Sequence, residues 1–135
     1  MDEDIIEPIP KTMETFFGCT GKMVKPSLSS VKAIVKKIRK GKLVTIEQIR
    51  EKLAKDFNVQ TACPASTTKA LVILSKEPKS VCYWRVVKKN GELLAKYPKG
   101  VEGHASLLKK EGFTIDLKKT KPVVIDYKTK LSNLV

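Results

Sequence analysis

Residues 45–75 constrain the fold most, because they spell out two helices, each with its own start signal and only a short link between them. In "TIEQIREKLAKDFN", Thr45 stands where an N-cap belongs and Gln48 follows three residues later, the reciprocal pairing of a capping box. Ile46, Ile49, Leu53 and Phe57 then recur on one side at helical spacing. The link "NVQTAC" is short, and Pro64 suits the first turn of the next helix, where its missing N–H has no intrahelical partner to lose. "PASTTKALVILSK" predicts that helix, with Ala70, Leu71, Ile73 and Leu74 turned inward. Two short helices on a tight link, the second opening on small polar residues, read as a helix-turn-helix. Many helical pairs share the pattern, so it narrows the fold without deciding it.

The flanking segments extend this reading. "SSVKAIVKKIRKGK" places Val31, Ile34, Val35 and Ile38 at helical spacing, with Ser29 or Ser30 as N-cap and Gly41 as the stop. Its opposite face carries Lys32, Lys36, Lys37, Arg39 and Lys40, basic enough to lie near a phosphate backbone. In "CYWRVVKKNGELLAKY" two β-prone runs flank Asn90-Gly91, the strongest short hairpin signal. "GVEGHASLLKKEG" predicts a helix closed by Gly112, and "KKTKPVVIDYKTK" a short strand in a basic tail. The expected architecture is a small α/β protein of the α+β kind. A winged-helix-like domain over residues 29–113 combines the helix-turn-helix with a β-hairpin. An acidic arm over 1–28 precedes it, and a basic tail over 114–135 follows.

Charge points toward the partner. The chain of 135 residues has a formal net charge of +13, unevenly placed. Five of its 14 acids and a single base, Lys11, lie in the first 15 residues, which leaves 26 bases against 9 acids in the rest. Such a body attracts phosphates and gains free energy by releasing their counterions. No apolar run approaches the ~18 residues of a membrane span, and the acidic N-terminus lacks the regions of a signal peptide, so a cytoplasmic protein without a membrane partner is expected. Cys19, Cys63 and Cys82 are odd in number and widely spaced, which argues against a disulfide framework. With one histidine and no Cys-x-x-Cys pair, no metal or other cofactor is expected.

Six landmarks in register carry a more specific likeness: "IRKGKLVTIEQI", "CPASTTKAL", "EP" at 77 and 78, "CYWRVVKKNGEL", "YPKGVEGHASLL" and "EG" at 111 and 112. Over residues 38–112 the chain resembles the DNA-binding domain of the 6-O-alkylguanine-DNA alkyltransferases and their catalytically inert relatives, the alkyltransferase-like proteins. The family's acceptor motif, Pro-Cys-His-Arg-Val, fits here as Cys82-Tyr83-Trp84-Arg85-Val86. Tyr83 then stands at the acceptor cysteine, Trp84 at the histidine that activates it, and Glu111 at the glutamate that orients that histidine. A phenol with a reference pKa near ~10 is a poor nucleophile at neutral pH, and an indole offers only a donor N–H. The resemblance therefore implies a protein that binds without transferring an alkyl group. Cys82 would be a bystander.

By the same resemblance, the recognition helix enters the minor groove of duplex DNA. This places Ser66, Thr67, Thr68 and Lys69 at the DNA, with Thr45 near a phosphate at its helix N-terminus and Arg85 partly at the DNA and partly structural. The base pocket corresponds to Tyr83, Trp84, Tyr97, Pro98 and Lys99. Two departures touch base extrusion: the inserted arginine finger falls on Thr68, and a tyrosine that rotates the target phosphate falls on Ile46. The implied partners are double-stranded DNA, alkylated guanine within it, and repair proteins, with no small-molecule substrate. Two other readings remain open. One is an RNA-binding or protein-interaction module on the same basic surface; the other is an alkyltransferase that uses Cys82 after a one-residue slip.

Overall fold

The computed structural model describes residues 3–77, 80–117 and 121–134. The Pro78 landmark and residues 118–120 of the basic tail lie outside them. No helix among the described residues is long and apolar enough to cross a membrane.

The chain opens with strand β1 (Ile5–Pro8), helix α1 (Lys11–Phe17) and strand β2 (Lys22–Lys25). Helices α2 (Leu28–Lys36), α3 (Ile46–Asp56) and α4 (Pro64–Ser75) follow, with two-residue strands β3 (Val44–Thr45) and β4 (Thr61–Ala62) leading into α3 and α4. A 3-10 turn over Tyr83–Arg85 runs into β5 (Val86–Val87), and α5 spans Gly100–Lys110. The chain finishes with β6 (Ile115–Asp116), β7 (Val123–Val124) and the short α6 (Tyr127–Lys130). The protein is a small mixed α/β fold, as the sequence predicts.

The helix-turn-helix segment forms as expected. Thr45 and Gln48 close both halves of the capping box, and Pro64 occupies the first turn of α4. α2 starts earlier than its serine pair suggests. Ser27 is its N-cap, accepting from the Ser30 N–H at 3.1 Å, while Asp4 accepts from the Ser27 N–H at 2.7 Å and the Ser30 hydroxyl at 2.8 Å. Burial disfavours the Asp4 charge, but these bonds together outweigh it and lower its pKa. The helix ends at Lys36 rather than running to Gly41, which sits in the following turn at φ 82°.

The stretch expected as an arm is part of the body. β2 pairs antiparallel with β1 and parallel with β4, giving a three-stranded sheet ordered β1-β2-β4. Val24 is fully buried, and its carbonyl accepts the Cys63 N–H at 2.8 Å, directly at the start of α4. Arg50 of α3 reinforces the join, donating to the Ala62 carbonyl at 2.9 Å with its guanidinium 5.9 Å from the centre of the Phe17 ring.

The predicted wing departs from expectation. Asn90 and Gly91 both take the left-handed conformation that an Asn-Gly turn favours, at φ 65° and 78°, and the Lys88 N–H meets the Glu92 carbonyl at 2.8 Å. The flanking runs then part instead of forming a hairpin. Val86 and Val87 pair in parallel with β3, and Glu92 bridges Val123. In that pairing Val86 and Val87 are fully buried. The basic tail likewise docks: Leu43 donates to the Lys130 carbonyl at 2.8 Å, and its own carbonyl accepts from the Ser132 N–H at 2.8 Å.

Two apolar clusters result. One gathers Val31, Ile34, Val35 and Ile38 of the α2 region with Ile49 and Leu53 of α3 and Ala70, Leu71 and Leu74 of α4. The other joins Leu43, Val87, Leu93, Leu108, Phe113 and Val124. Trp84 packs against both.

Candidate nucleic-acid interface

α4 turns one face inward and one outward. Thr67 lies on the inward face, completely buried, and its hydroxyl donates to the Cys63 carbonyl at 2.8 Å. It belongs to the helix interior and not to the surface where the resemblance would place it. The phase of the sequence carried that signal, because Thr67, Ala70, Leu71 and Leu74 form one apolar-facing stripe. Ser66 and Thr68 are half-buried and Lys69 is exposed. Beside them runs an open groove of about 470 Å³ lined by Pro64, Ala65, Thr68, Lys69, Val72 and Lys96. Lys96 was not anticipated; it reaches α4 only through the tertiary fold, and nothing local in the sequence marks it.

Thr45 contributes to this face less than expected. It is 7% exposed, its hydroxyl accepts from the Gln48 N–H at 3.1 Å, and the Gln48 side chain returns the bond to its N–H at 2.9 Å. The capping box engages this hydroxyl as an acceptor, and burial keeps it back from the surface.

The expected base pocket is filled with its own rings. Tyr83 is 4% exposed and Tyr97 2%, with ring centres 4.9 Å apart and nearly perpendicular. Trp84 meets Tyr83 edge-on at 5.3 Å, and His104 meets Tyr97 at 4.8 Å. The Tyr97 hydroxyl donates to the Tyr83 carbonyl at 3.3 Å. Burial raises the pKa of both phenols, Tyr97 the further, where Tyr83 also repels a second negative charge. Pro98 and Lys99 stay at the surface, apart from this packing. There Lys99 takes a left-handed conformation at φ 63° and starts α5. Gly103 allows that close turn, because a Cβ at its position would come within 2.4 Å of the Pro98 carbonyl oxygen.

His104 is fully buried and has one tautomer available. Nδ1 accepts from the Leu94 N–H at 3.0 Å, so Nε2 carries the proton and donates to the Trp84 carbonyl at 2.7 Å. Burial pushes its pKa down to about 4, although the bond to Trp84 favours the charged form.

Arg85 and Glu111 form the remaining polar centre. The Arg85 Nε donates to both carboxylate oxygens of Glu111, at 3.0 and 3.2 Å, and a terminal nitrogen donates to the Ile38 carbonyl at 2.8 Å. Both side chains are largely sheltered, at 13% and 10% exposure. The Trp84 indole N–H also donates to Glu111. Glu111 thus holds an indole and a guanidinium, and Arg85 acts as an internal tie between the turn after α2, the 3-10 turn and the end of α5. Cys82 sits half-buried immediately before that turn. Among the described residues no group of three or more His, Cys, Asp and Glu side chains is placed to hold a metal.

No family model and none of the curated proteins matches the chain. Among solved structures, its fold is similar to that of S. pombe Atl1, determined in complex with damaged DNA containing O6-carboxymethylguanine. The likeness has a TM-score of 0.61 and 19% sequence identity, and covers 78% of this chain and 93% of the Atl1 chain. The chain therefore shares the Atl1 fold over nearly the whole of that protein.

Proposed function

We propose that this protein binds duplex DNA, including duplexes that carry alkylated guanine, and performs no alkyl transfer. The outer face of α4 carries the reading: a groove edged by Lys69 and Lys96 and lined by Thr68, in a fold that in Atl1 is seen on damaged DNA. Small residues let the helix approach a groove floor closely, and lysines at its edges meet phosphates without reading sequence.

The chemistry supports binding over catalysis. The acceptor position is held by a buried phenol whose pKa is raised by burial. His104 has both ring nitrogens engaged and stays neutral at ordinary pH, so it is not free to take a proton from Tyr83 or Cys82. Bound protein would mark the site for repair proteins in the compartment that holds the DNA, which in a cell without a nucleus is the cytoplasm.

Fluorescence anisotropy on matched duplexes, one plain and one carrying 6-O-methylguanine, tests the reading at two salt concentrations. Salt-dependent binding to duplex with an unchanged protein mass is expected. A tenfold preference for the lesion, about 1.4 kcal/mol, would extend the reading to damage recognition. Tighter binding of a structured RNA than of either duplex, or a methyl group gained on Cys82, would overturn it.

A further inference from the structure

Most of the positive charge lies away from α4. Residues 64–75 hold one base, Lys69, whereas residues 15–46 hold eight bases and no Asp or Glu. The fold gathers the densest part of that stretch into one surface. Lys36 and Lys37 end α2, and Arg39, Lys40 and Lys42 occupy the turn that follows, drawn tight by the Lys42 N–H on the Arg39 carbonyl at 3.0 Å. The bond between Leu43 and the Lys130 carbonyl sets Lys130 alongside. All six side chains are exposed, and among the described residues none of them forms an ion pair with a carboxylate.

The α2 part of this surface and the α4 groove lie on opposite sides of a packed helix pair. Val31, Ile34, Val35 and Ile38 pack against the inner face of α4, so the outward side of α2 faces away from that helix. The axes of packed helices lie ~8–10 Å apart. A duplex seated on the outer face of α4 would therefore leave the outward side of α2 free. The six residues include no aromatic ring on which an unpaired base could stack, and no carboxylate to set register against a protein. What they match is a uniform row of phosphates.

We infer that Lys36, Lys37, Arg39, Lys40, Lys42 and Lys130 form a second duplex-binding surface, so that one molecule holds two duplex segments at once. Only the first segment rests on the proposed role of α4. The second rests on charge placement alone.

Two 20-base-pair duplexes with donor and acceptor dyes, mixed in excess over protein at ~150 mM salt, test this by energy transfer together with sedimentation. The wild type should give energy transfer and a particle of one protein with two duplexes. The R39Q/K40Q/K42Q variant should lose the energy transfer and keep one duplex, and the T68E/K69E variant should also keep one, through the other surface. Circular dichroism establishes that each variant is folded, and Arg39→Lys, which preserves charge, should behave as wild type. A wild type that never exceeds one duplex per protein, or that reaches two only as a protein dimer, would overturn the second surface and leave the α4 reading intact. If T68E/K69E binds two duplexes as the wild type does, the α4 reading fails instead.

Discussion

The cluster around Trp84 and the outer face of α4 use polar groups in opposite ways. At the cluster, the indole, the Arg85 guanidinium, both His104 nitrogens and the Tyr97 hydroxyl all point at protein partners. On α4, among the described residues, the hydroxyls of Ser66 and Thr68 make no such bond, and Lys69 and Lys96 edge an open groove. A buried, mutually satisfied network holds a fold together, because removing one member leaves the others unpaired. A row at the surface without protein partners contributes little to stability and remains free for a ligand. The difference teaches where to look for each property: stability at the position that resembles a reactive centre, binding at a helix face that looks bland.

Substitutions can break this division, and the largest effect is expected at Glu111. Glu111→Leu leaves the sheltered Arg85 charge and the Trp84 N–H without an acceptor, and should destabilise the protein by about 3–5 kcal/mol. Urea denaturation measures this, and Glu111→Gln should recover part of it through the indole bond. If Glu111→Leu costs under about 1 kcal/mol, the network is not what holds this region.

Acid should act next most strongly, through His104. The folded protein keeps this ring neutral to a pKa of about 4, while the unfolded chain binds a proton near 6.5. Between those values the unfolded state holds more protons, so stability falls as pH is lowered through the window. The loss should reach about 2–3 kcal/mol at pH 4.5 and level off below the folded pKa. The Asp4 carboxyl, lowered from 3.8, stays charged through that window and adds its loss only at lower pH. Urea midpoints at pH 7 and 4.5, repeated with His104→Gln, separate this ring from the other titrating groups.

On the other side of the comparison, Thr68→Glu should leave stability within about 0.5 kcal/mol of wild type. It should weaken duplex binding about tenfold, or 1.4 kcal/mol, by setting a negative charge in the groove. A change in the urea midpoint comparable to that at Glu111 would erase the distinction between the two regions. The smallest effect belongs to Thr45→Ala, which removes one half of the capping box at a cost of about 1 kcal/mol. Because its hydroxyl faces Gln48, this change should lower thermal stability while duplex affinity at low temperature stays the same.

What the sequence revealed was local. The capping box, the Pro64 start and the left-handed Asn90-Gly91 turn depend on residues at most three apart, and all three are present. What it concealed was pairing at a distance. "KMVK" is too short to announce a strand, and its partner β4 lies beyond two helices. The expected hairpin pairing is absent for the same reason, since Val86 and Val87 find β3, far back in the chain, and not the run beside them. At the candidate site, resemblance alone suggests Tyr83 for the acceptor position and α4 for the recognition helix. It did not reveal that Tyr83 and Tyr97 pack ring against ring, because packing is a property of volumes rather than of residue types.

The β2–β4 pairing ties the history of the N-terminal segment to that of α4. Met23 and Val24 match Thr61 and Ala62 in register, and the Val24 carbonyl fixes the first turn of α4. A larger side chain at Ala62, fully buried against this strand, would have to be answered by a smaller one at Val24. Swapping residues 1–28 between diverged relatives should therefore disturb the mouth of the α4 groove even though none of the described residues among them lines it. Among such relatives, changes at positions 23 and 24 should be inherited together with changes at 61 and 62.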